Sequence, residues 1–383
     1  MKKSLLSHTQ LSQAKRLLFM THMAIGDYVY QRMFLKKLAE SYPNLKIDLW
    51  FDHCTIKTES WNVRRAQTLS DWFNNEPFLH NLYPVVLSPI EREALISKAQ
   101  QENYDIIVFS VDTGCELYAE IAQAISKTAY IVGTWTKLSK FILKKYKIFN
   151  QCHGFIMDRG SLARHPIHIT QFYQKRFAKI FGLTLTPEEI KPRMTVPEVW
   201  KEKMRIWLDN QKQGYHHPAS SNGTFFINYL SSQDKRNWTL DQVIQLIIEL
   251  NQQHSHWTYI INLPPHALVE IQEILSQERS LDNIHVLPFT AENNFYELPA
   301  LIQLSDFVLS VETAVIHLAS ALDIPQIALV RYKARTWAPY PNKKTSVIFT
   351  RKSPTRIANI TVEEVLKKYR EMNPSIESTL VDD

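Results

Sequence analysis

Arg16-Leu-Leu-Phe-Met-Thr-His-Met-Ala-Ile-Gly-Asp27 is a short apolar run that ends in a small, glycine-containing loop. The residues after it carry apolar side chains at Val29, Met33, Leu35, Leu38 and Ala39, the spacing of one helix face, until Tyr42-Pro-Asn44 breaks the pattern. Lys46-Ile-Asp-Leu-Trp-Phe51 then reads as a second strand. Strand, tight loop, helix and strand make a βαβ unit, which commits the chain to an α/β fold with a parallel sheet covered on both faces.

Working outward, residues 105–110 predict a further strand, 116–126 a helix and 129–133 the next strand, so the opening lobe is doubly wound. Between about 182 and 223 the pattern loosens. Pro187, Pro192, Pro197 and Pro218 and a polar run over 211–222 surround a single amphipathic helix near 198–209. A second alternating series follows: strand 225–230, helix 240–252, strand 257–263, helix 266–277, strands 284–288 and 306–310, helix 314–322 and strand 326–330. At 383 residues the chain is too long for one ordinary core and suits two α/β lobes. The expectation is two doubly wound, Rossmann-like lobes with a cleft between them: an N-terminal domain over 1–190, a linker region over 191–222 and a C-terminal domain over 223–355. Residues 356–383, with a helix at 362–371, are expected to pack back on the first lobe.

Composition narrows the chemistry. Hydrophobic residues make up 45% and charged residues 21%, enough apolar surface for real cores. The 8 glycines include no G-x-G, which removes the glycine-rich dinucleotide fingerprint and the P-loop, so a bound phosphate must be held another way. Cys54, Cys115 and Cys152 are odd in number and lack C-x-x-C spacing, suggesting a reducing compartment without zinc or disulfides. The N-terminus has charge but no apolar signal region, and no run approaches the roughly 18 apolar residues of a spanning helix. No D-x-D, H-E-x-x-H or G-x-S-x-G occurs, so neither a metal nor a serine nucleophile is indicated. A net charge of +6 predicts attraction to a polyanion: nucleic acid, anionic lipid or phosphorylated substrate. No RNA- or DNA-binding signature supports the first.

Four places stand out. Asp27 lies at the carboxyl end of the first strand, as a cleft-facing carboxylate or as a helix cap. Ser231 and Ser232, with Lys235 and Arg236, leave the first strand of the second lobe as a hydroxyl-rich basic loop, a phosphate site or a solvated turn. Glu312, Thr313 and Ala314 run from strand into helix, where free amides suit an anion and the carboxylate suits sugar hydroxyls. His317, a turn further on, reads as part of that loop or as a core histidine. Residues 135–149 hold five lysines among aromatic and apolar residues without an acid, an anionic-lipid or acidic-acceptor surface or a solvated helix; Lys137, Lys140 and Lys144, with Arg64 and Arg65, are the acceptor-side candidates.

Taken together these segments resemble the glycosyltransferase family 9 heptosyltransferases, bacterial enzymes of lipopolysaccharide core assembly. The opening strand with Ile-Gly-Asp27 and Tyr42-Pro is similar to the family's start, and Glu102-Asn-Tyr-Asp-Ile-Ile-Val-Phe109 to a later strand of its first lobe. Ser231 to Trp238 resembles the stretch that receives donor phosphates. Val311-Glu-Thr-Ala-Val-Ile-His-Leu-Ala-Ser-Ala-Leu-Asp-Ile-Pro325 is similar to the family's Asp-Thr-Gly-x-x-His-Leu-Ala-Ala-Ala-Leu-Gly-x-Pro, and Ala334-Arg-Thr-Trp-Ala-Pro-Tyr340 to its tail.

The resemblance implies a GT-B fold and inverting, metal-independent transfer with no cofactor beyond the donor substrate, ADP-heptose. It implies an anionic lipopolysaccharide-core acceptor, a cytoplasmic location at the inner face of the inner membrane, and no nucleic-acid partner. Asp27 becomes the general base. Ser231, Ser232, Lys235, Arg236, Thr313 and Ala314 take the donor phosphates, and Glu312 and His317 the donor sugar. Here the family's Asp-Thr-Gly is Glu312-Thr-Ala314, and the glycine after the next strand is replaced in Val330-Arg-Tyr332. Those departures leave open a different nucleotide sugar, or a non-catalytic nucleotide- or glycan-binding protein on the same fold.

Overall fold

The structure is a computed structural model, which describes residues 4–52, 60–86, 88–135, 151–157, 167–213, 223–254, 256–353 and 355–373. It divides into two compact units, Met1–Lys191 and Pro192–Asp383.

The first unit is built on β1 (Arg16–Thr21), β2 (Lys46–Phe51), β3 (Asn81–Leu82), β4 (Ile106–Phe109), β5 (Tyr130–Trp135) and β6 (Gly154–Met157), in the order β3-β2-β1-β4-β5-β6. The second uses β7 (Gly223–Asn228), β8 (Trp257–Asn262), β9 (His285–Phe289), β10 (Phe307–Val311), β11 (Gln326–Val330) and β12 (Thr345–Phe349), in the order β12-β11-β10-β7-β8-β9. All the pairings are parallel; Leu17 faces Ile47 on one side and Ile106 on the other. Counted within each unit, both orders are 3-2-1-4-5-6, the doubly wound arrangement. In each the winding reverses beside the first strand, between β1 and β4 and between β7 and β10. A crevice opens at such a point outside the carboxyl ends of the strands.

The strands are apolar on both faces because helices cover both. Leu17 to Met20 and Phe225 to Ile227 are buried without alternation. In the second unit Phe225, Tyr259, Phe307 and Tyr369 join one core with Val243, Leu246 and Ile247 of the helix Leu240–Gln253. That helix starts on a capping box, in which the Gln242 amide donates to Thr239 Oγ1 at 3.2 Å and the Thr239 amide donates back to Gln242 Oε1 at 3.1 Å. In β5, Gly133 is required by packing: a Cβ there would lie 2.2 Å from the Phe109 ring of β4.

Three features differ from the sequence reading. The helix Ile25–Ser41 starts three residues earlier than its apolar spacing indicates, so Ile25-Gly26-Asp27 forms its first turn and not a loop before it. The helix Glu198–Gln213, read as part of a linker, lies in the second unit and packs against the helix Glu297–Gln303. The closing helix Val362–Met372, expected against the first lobe, has Val362, Val365, Leu366 and Tyr369 in the core of the second. The Tyr369 ring is edge-on to Phe307 at 4.9 Å, which commits the helix's apolar face there. The edge strands β3, β6 and β12 and the helices His8–Gln13, Ser60–Phe73, Pro89–Gln100, Ile169–Phe181 and Glu297–Gln303 are further elements that the sequence reading lacks.

Candidate functional site

Each unit places a cluster of polar side chains at its own reversal point. In the first, β1 ends at Thr21 and the chain turns into the helix Ile25–Ser41, where Asp27 occupies the third position, half-buried. Its two oxygens are fixed separately. The Ala24 amide donates to Oδ2 at 2.7 Å, and the Tyr173 hydroxyl donates to Oδ1 at 3.0 Å. The N-cap of this helix is Ala24, so Asp27 is not the cap itself but the first-turn carboxylate that reaches back to the cap's amide.

Tyr173 comes from the helix Ile169–Phe181, an element absent from the sequence reading. Its ring is buried, and burial, reinforced by the charges of Asp27 and Asp112, pushes the phenol well above its ordinary pKa. A phenol that stays protonated is a permanent donor to Asp27. Three residues on, the same helix face presents Arg176, which pairs with Asp112 just beyond β4 and lies 4.4 Å over the Phe172 ring. Beyond β2, Arg92 holds the buried Asp52 through two hydrogen bonds of 2.7 and 2.9 Å. Of the acceptor-side candidates, Arg64 and Arg65 lie on the helix Ser60–Phe73 with side chains outside the described residues. Lys137, Lys140 and Lys144 also lie outside them.

In the second unit the last residues of β7 and β8 are Asn228 and Asn262. Asn262 Nδ2 donates to Asn228 Oδ1 at 2.7 Å, and Asn228 Nδ2 donates to Ser310 Oγ at 3.1 Å and Thr313 Oγ1 at 3.0 Å. This neutral network ties together the ends of β7, β8 and β10 and holds Thr313 as the cap of the helix Ala314–Ala321. The first-turn amides of that helix carry partial positive charge. His317, on the same helix, is buried.

The basic loop forms a 3₁₀ turn over Asp234–Arg236. Ser231 Oγ donates to the Gln233 carbonyl at 3.0 Å and accepts from its amide at 3.1 Å, so this hydroxyl shapes the turn. Ser232 and Lys235 are exposed, and Trp238 is a core anchor whose Nε1 donates to the Ile360 carbonyl at 2.8 Å. Arg236 turns toward Glu312, its Nε 3.4 Å from Oε1.

Glu312 is where geometry and expectation part. Its carboxylate, read as a partner for sugar hydroxyls, is engaged by Arg331: Nε donates to Oε2 at 3.0 Å, Nη2 to Oε1 at 2.8 Å and the backbone amide to Oε2 at 3.2 Å. Arg331 directly follows β11. Sequence reasoning missed Asn228, Asn262, Tyr173, Arg176 and Arg331 as site residues. A polar residue closing an otherwise apolar strand was the available signal for the two asparagines, and the replaced glycine in Val330-Arg-Tyr332 was the signal for Arg331; nothing local marks Tyr173 and Arg176. Among the described residues no group of three or more His, Cys, Asp or Glu side chains is placed to hold a metal ion, and no helix is long and apolar enough to cross a membrane.

The comparisons with known proteins follow the same lines. The sequence model of glycosyltransferase family 9 (heptosyltransferase) matches residues 174–365. No curated protein matches the sequence. Among solved structures, a glycosyl transferase of family 9 from Veillonella parvula superposes with a TM-score of 0.71 at 13% identity, covering 95% of this chain and 98% of that one. The ADP-heptose lipopolysaccharide heptosyltransferase II of E. coli gives a TM-score of 0.67 at 14% identity over 94% and 99%. The E. coli heptosyltransferase WaaC, solved with ADP-2-deoxy-2-fluoro heptose, gives 0.60 at 17% identity over 94% and 99%. At these identities the likeness is one of fold.

Proposed function

The chain belongs to glycosyltransferase family 9, the heptosyltransferase family, and from that premise we propose that it transfers a heptose from ADP-heptose to an anionic, lipopolysaccharide-type acceptor, with inversion and without a metal. The observation that carries this reading is Asp27: a half-buried carboxylate at the reversal point of the first sheet, each oxygen oriented by a separate donor. It is suited to take the proton of an acceptor hydroxyl as that oxygen attacks the anomeric carbon and the bond to the diphosphate breaks. Lys235, Arg236 and the first-turn amides around Thr313 and Ala314 would take up the charge that develops on the leaving nucleotide. His317 would support that turn from inside the helix. The acceptor's negative charge and an anionic inner-membrane surface would be met by the basic residues of the first unit, on the cytoplasmic side.

The test is a transfer assay on Asp27→Ala beside calorimetric binding of the donor nucleotide. Loss of transfer with binding near wild type supports the reading; transfer that survives the substitution removes Asp27 as base. One observation favours a second reading. With Glu312 given to Arg331, the hydroxyl-binding carboxylate implied by the family resemblance is withdrawn, which supports a donor other than ADP-heptose, or binding without turnover. A panel of ADP, UDP and GDP separates these, since selective stabilisation by UDP or GDP moves the donor while binding without transfer removes the enzyme.

A further inference from the structure

The pairing of Glu312 with Arg331 has a geometry that constrains what the second unit can bind. A carboxylate offers about four acceptor positions. Three of those of Glu312 are taken by Arg331, and Oε1 also faces the Arg236 guanidinium. Glu312 is 8% exposed and immediately precedes Thr313, the cap of the helix Ala314–Ala321. An uncompensated carboxylate there would stand beside the very amides that favour an anion. Arg236 Nε, though buried, hydrogen-bonds to nothing among the described residues; it is an orphaned donor on the face of the loop that meets Glu312.

We propose that Arg331 sets the charge of the donor loop: by taking most of the acceptor positions of Glu312 it leaves Arg236 with only a long 3.4 Å approach to that carboxylate, so that Arg236 and the helix amides can meet a nucleoside diphosphate, and it withdraws Glu312 from recognition of the sugar. This rests on the reading of the second unit as the donor site and deepens it. The charge count is direct. Glu312, Arg331 and Arg236 together carry one negative and two positive charges, a net attraction for phosphate, whereas without Arg331 the sum is zero. The backbone supports the same arrangement. The Thr350 amide donates to the Val330 carbonyl at 3.0 Å and the Tyr332 amide to Thr350 Oγ1 at 3.1 Å, so the residues on both sides of Arg331 are pinned while its own amide joins the clasp on Glu312. Arg331 is therefore a specificity-determining residue that acts through another side chain, and the longer reach of glutamate and the arginine after β11 work as one unit.

The experiment is calorimetric titration of inorganic pyrophosphate, of ADP, UDP and GDP, and of the uncharged nucleosides, into wild type, Arg331→Gln, Arg331→Lys and the double variant Glu312→Gln/Arg331→Gln, each checked for cooperative melting. Arg331→Gln is expected to weaken the diphosphates and pyrophosphate about tenfold and leave the nucleosides unchanged. The double variant returns diphosphate affinity to within about threefold of wild type, because the charge that repelled the ligand is gone. Arg331→Lys, which keeps the charge but not the planar fork, falls between. Equal losses for nucleosides and diphosphates, or a double variant no better than the single, would show a purely structural clasp and overturn the inference. So would diphosphate affinity unmoved by Arg331→Gln. A wild type that binds neither pyrophosphate nor any of the nucleotides overturns the donor reading itself, and the inference with it.

Discussion

Asp27 follows the first strand of its sheet and Glu312 the fourth strand of the other, the two strands that flank the reversal point in each order, and their surroundings differ. Asp27 receives hydrogen bonds from a phenol and a backbone amide, which fix the direction of its two oxygens. Glu312 is clasped by a guanidinium and serves as a counter-charge. The contrast extends into the interiors, with the sides exchanged. The first unit pairs buried carboxylates with arginines, Arg32 donating to both oxygens of Glu76 and the part-buried Arg16 reaching the fully buried Asp48 at 2.6 Å. The second ties its strand ends with Asn228, Asn262, Ser310 and Thr313, all neutral. One topology thus accommodates two electrostatic solutions, and the strand order does not choose between them.

The largest effect expected from this comparison is at the two carboxylates. Asp27→Asn should lower transfer by about a hundredfold or more, the scale of a general base, while Glu312→Gln lowers it less than tenfold. Equal effects in steady-state turnover would erase the contrast.

Next come the interiors. Glu76→Gln leaves the Arg32 guanidinium buried without its counter-charge and should cost roughly 3–5 kcal/mol, whereas Asn228→Ala in the second unit should cost roughly 1–3 kcal/mol. Urea unfolding of both variants gives the ranking, and a costlier Asn228→Ala would mean that the neutral network carries more than its hydrogen bonds suggest.

Tyr173→Phe removes one oriented donor from Asp27 while the ring still fills its site. Turnover is expected to fall about tenfold, with donor affinity unchanged and no further loss when combined with Asp27→Asn. Additive losses in the double variant would show that Tyr173 acts elsewhere.

The smallest expected effect is on acid stability. His254 of the second unit is stacked on Trp257 at 4.3 Å and hydrogen-bonded with the Tyr369 hydroxyl at 2.9 Å, and burial lowers its pKa. The folded form therefore resists a proton that the unfolded chain accepts near about pH 6.5. This contribution is complete above that pH and lost progressively as the pH falls below it. Differential scanning from pH 7.5 to 5 should show the second unit's transition moving down, and His254→Gln should flatten the slope.

Much of this was legible in the sequence. The central strands could be read because buried parallel strands are apolar runs of distinctive length, and β1, β2, β7, β8 and β11 fall close to where those runs lie. The edge strands could not. Asn81–Leu82 has two residues, and every residue of Thr345–Phe349 keeps some exposure, so neither gives a periodic signal. The helix Ile169–Phe181 is absent from the sequence reading although its buried face of Phe172, Tyr173, Phe177 and Ile180 is regular. The closing helix was legible as a helix but not in its destination, because an amphipathic face states that it needs a partner and not which one.

What the sequence determined by itself was the kind of chain: two α/β sheets and the family resemblance. Those follow from local pattern and residue order, which the backbone translates directly into strands, turns and helix ends. What only the tertiary structure decided was the company each functional group keeps. Tyr173 lies 146 residues from Asp27, and Arg331 lies 19 from Glu312 across a helix and a strand. Hydrogen bonds over such separations depend on how the sheet stacks its strand ends and how the helices dock on it. Two carboxylates that each follow a strand in the sequence therefore differ in the fold: one is oriented by an amide and a phenol, the other is held by a guanidinium.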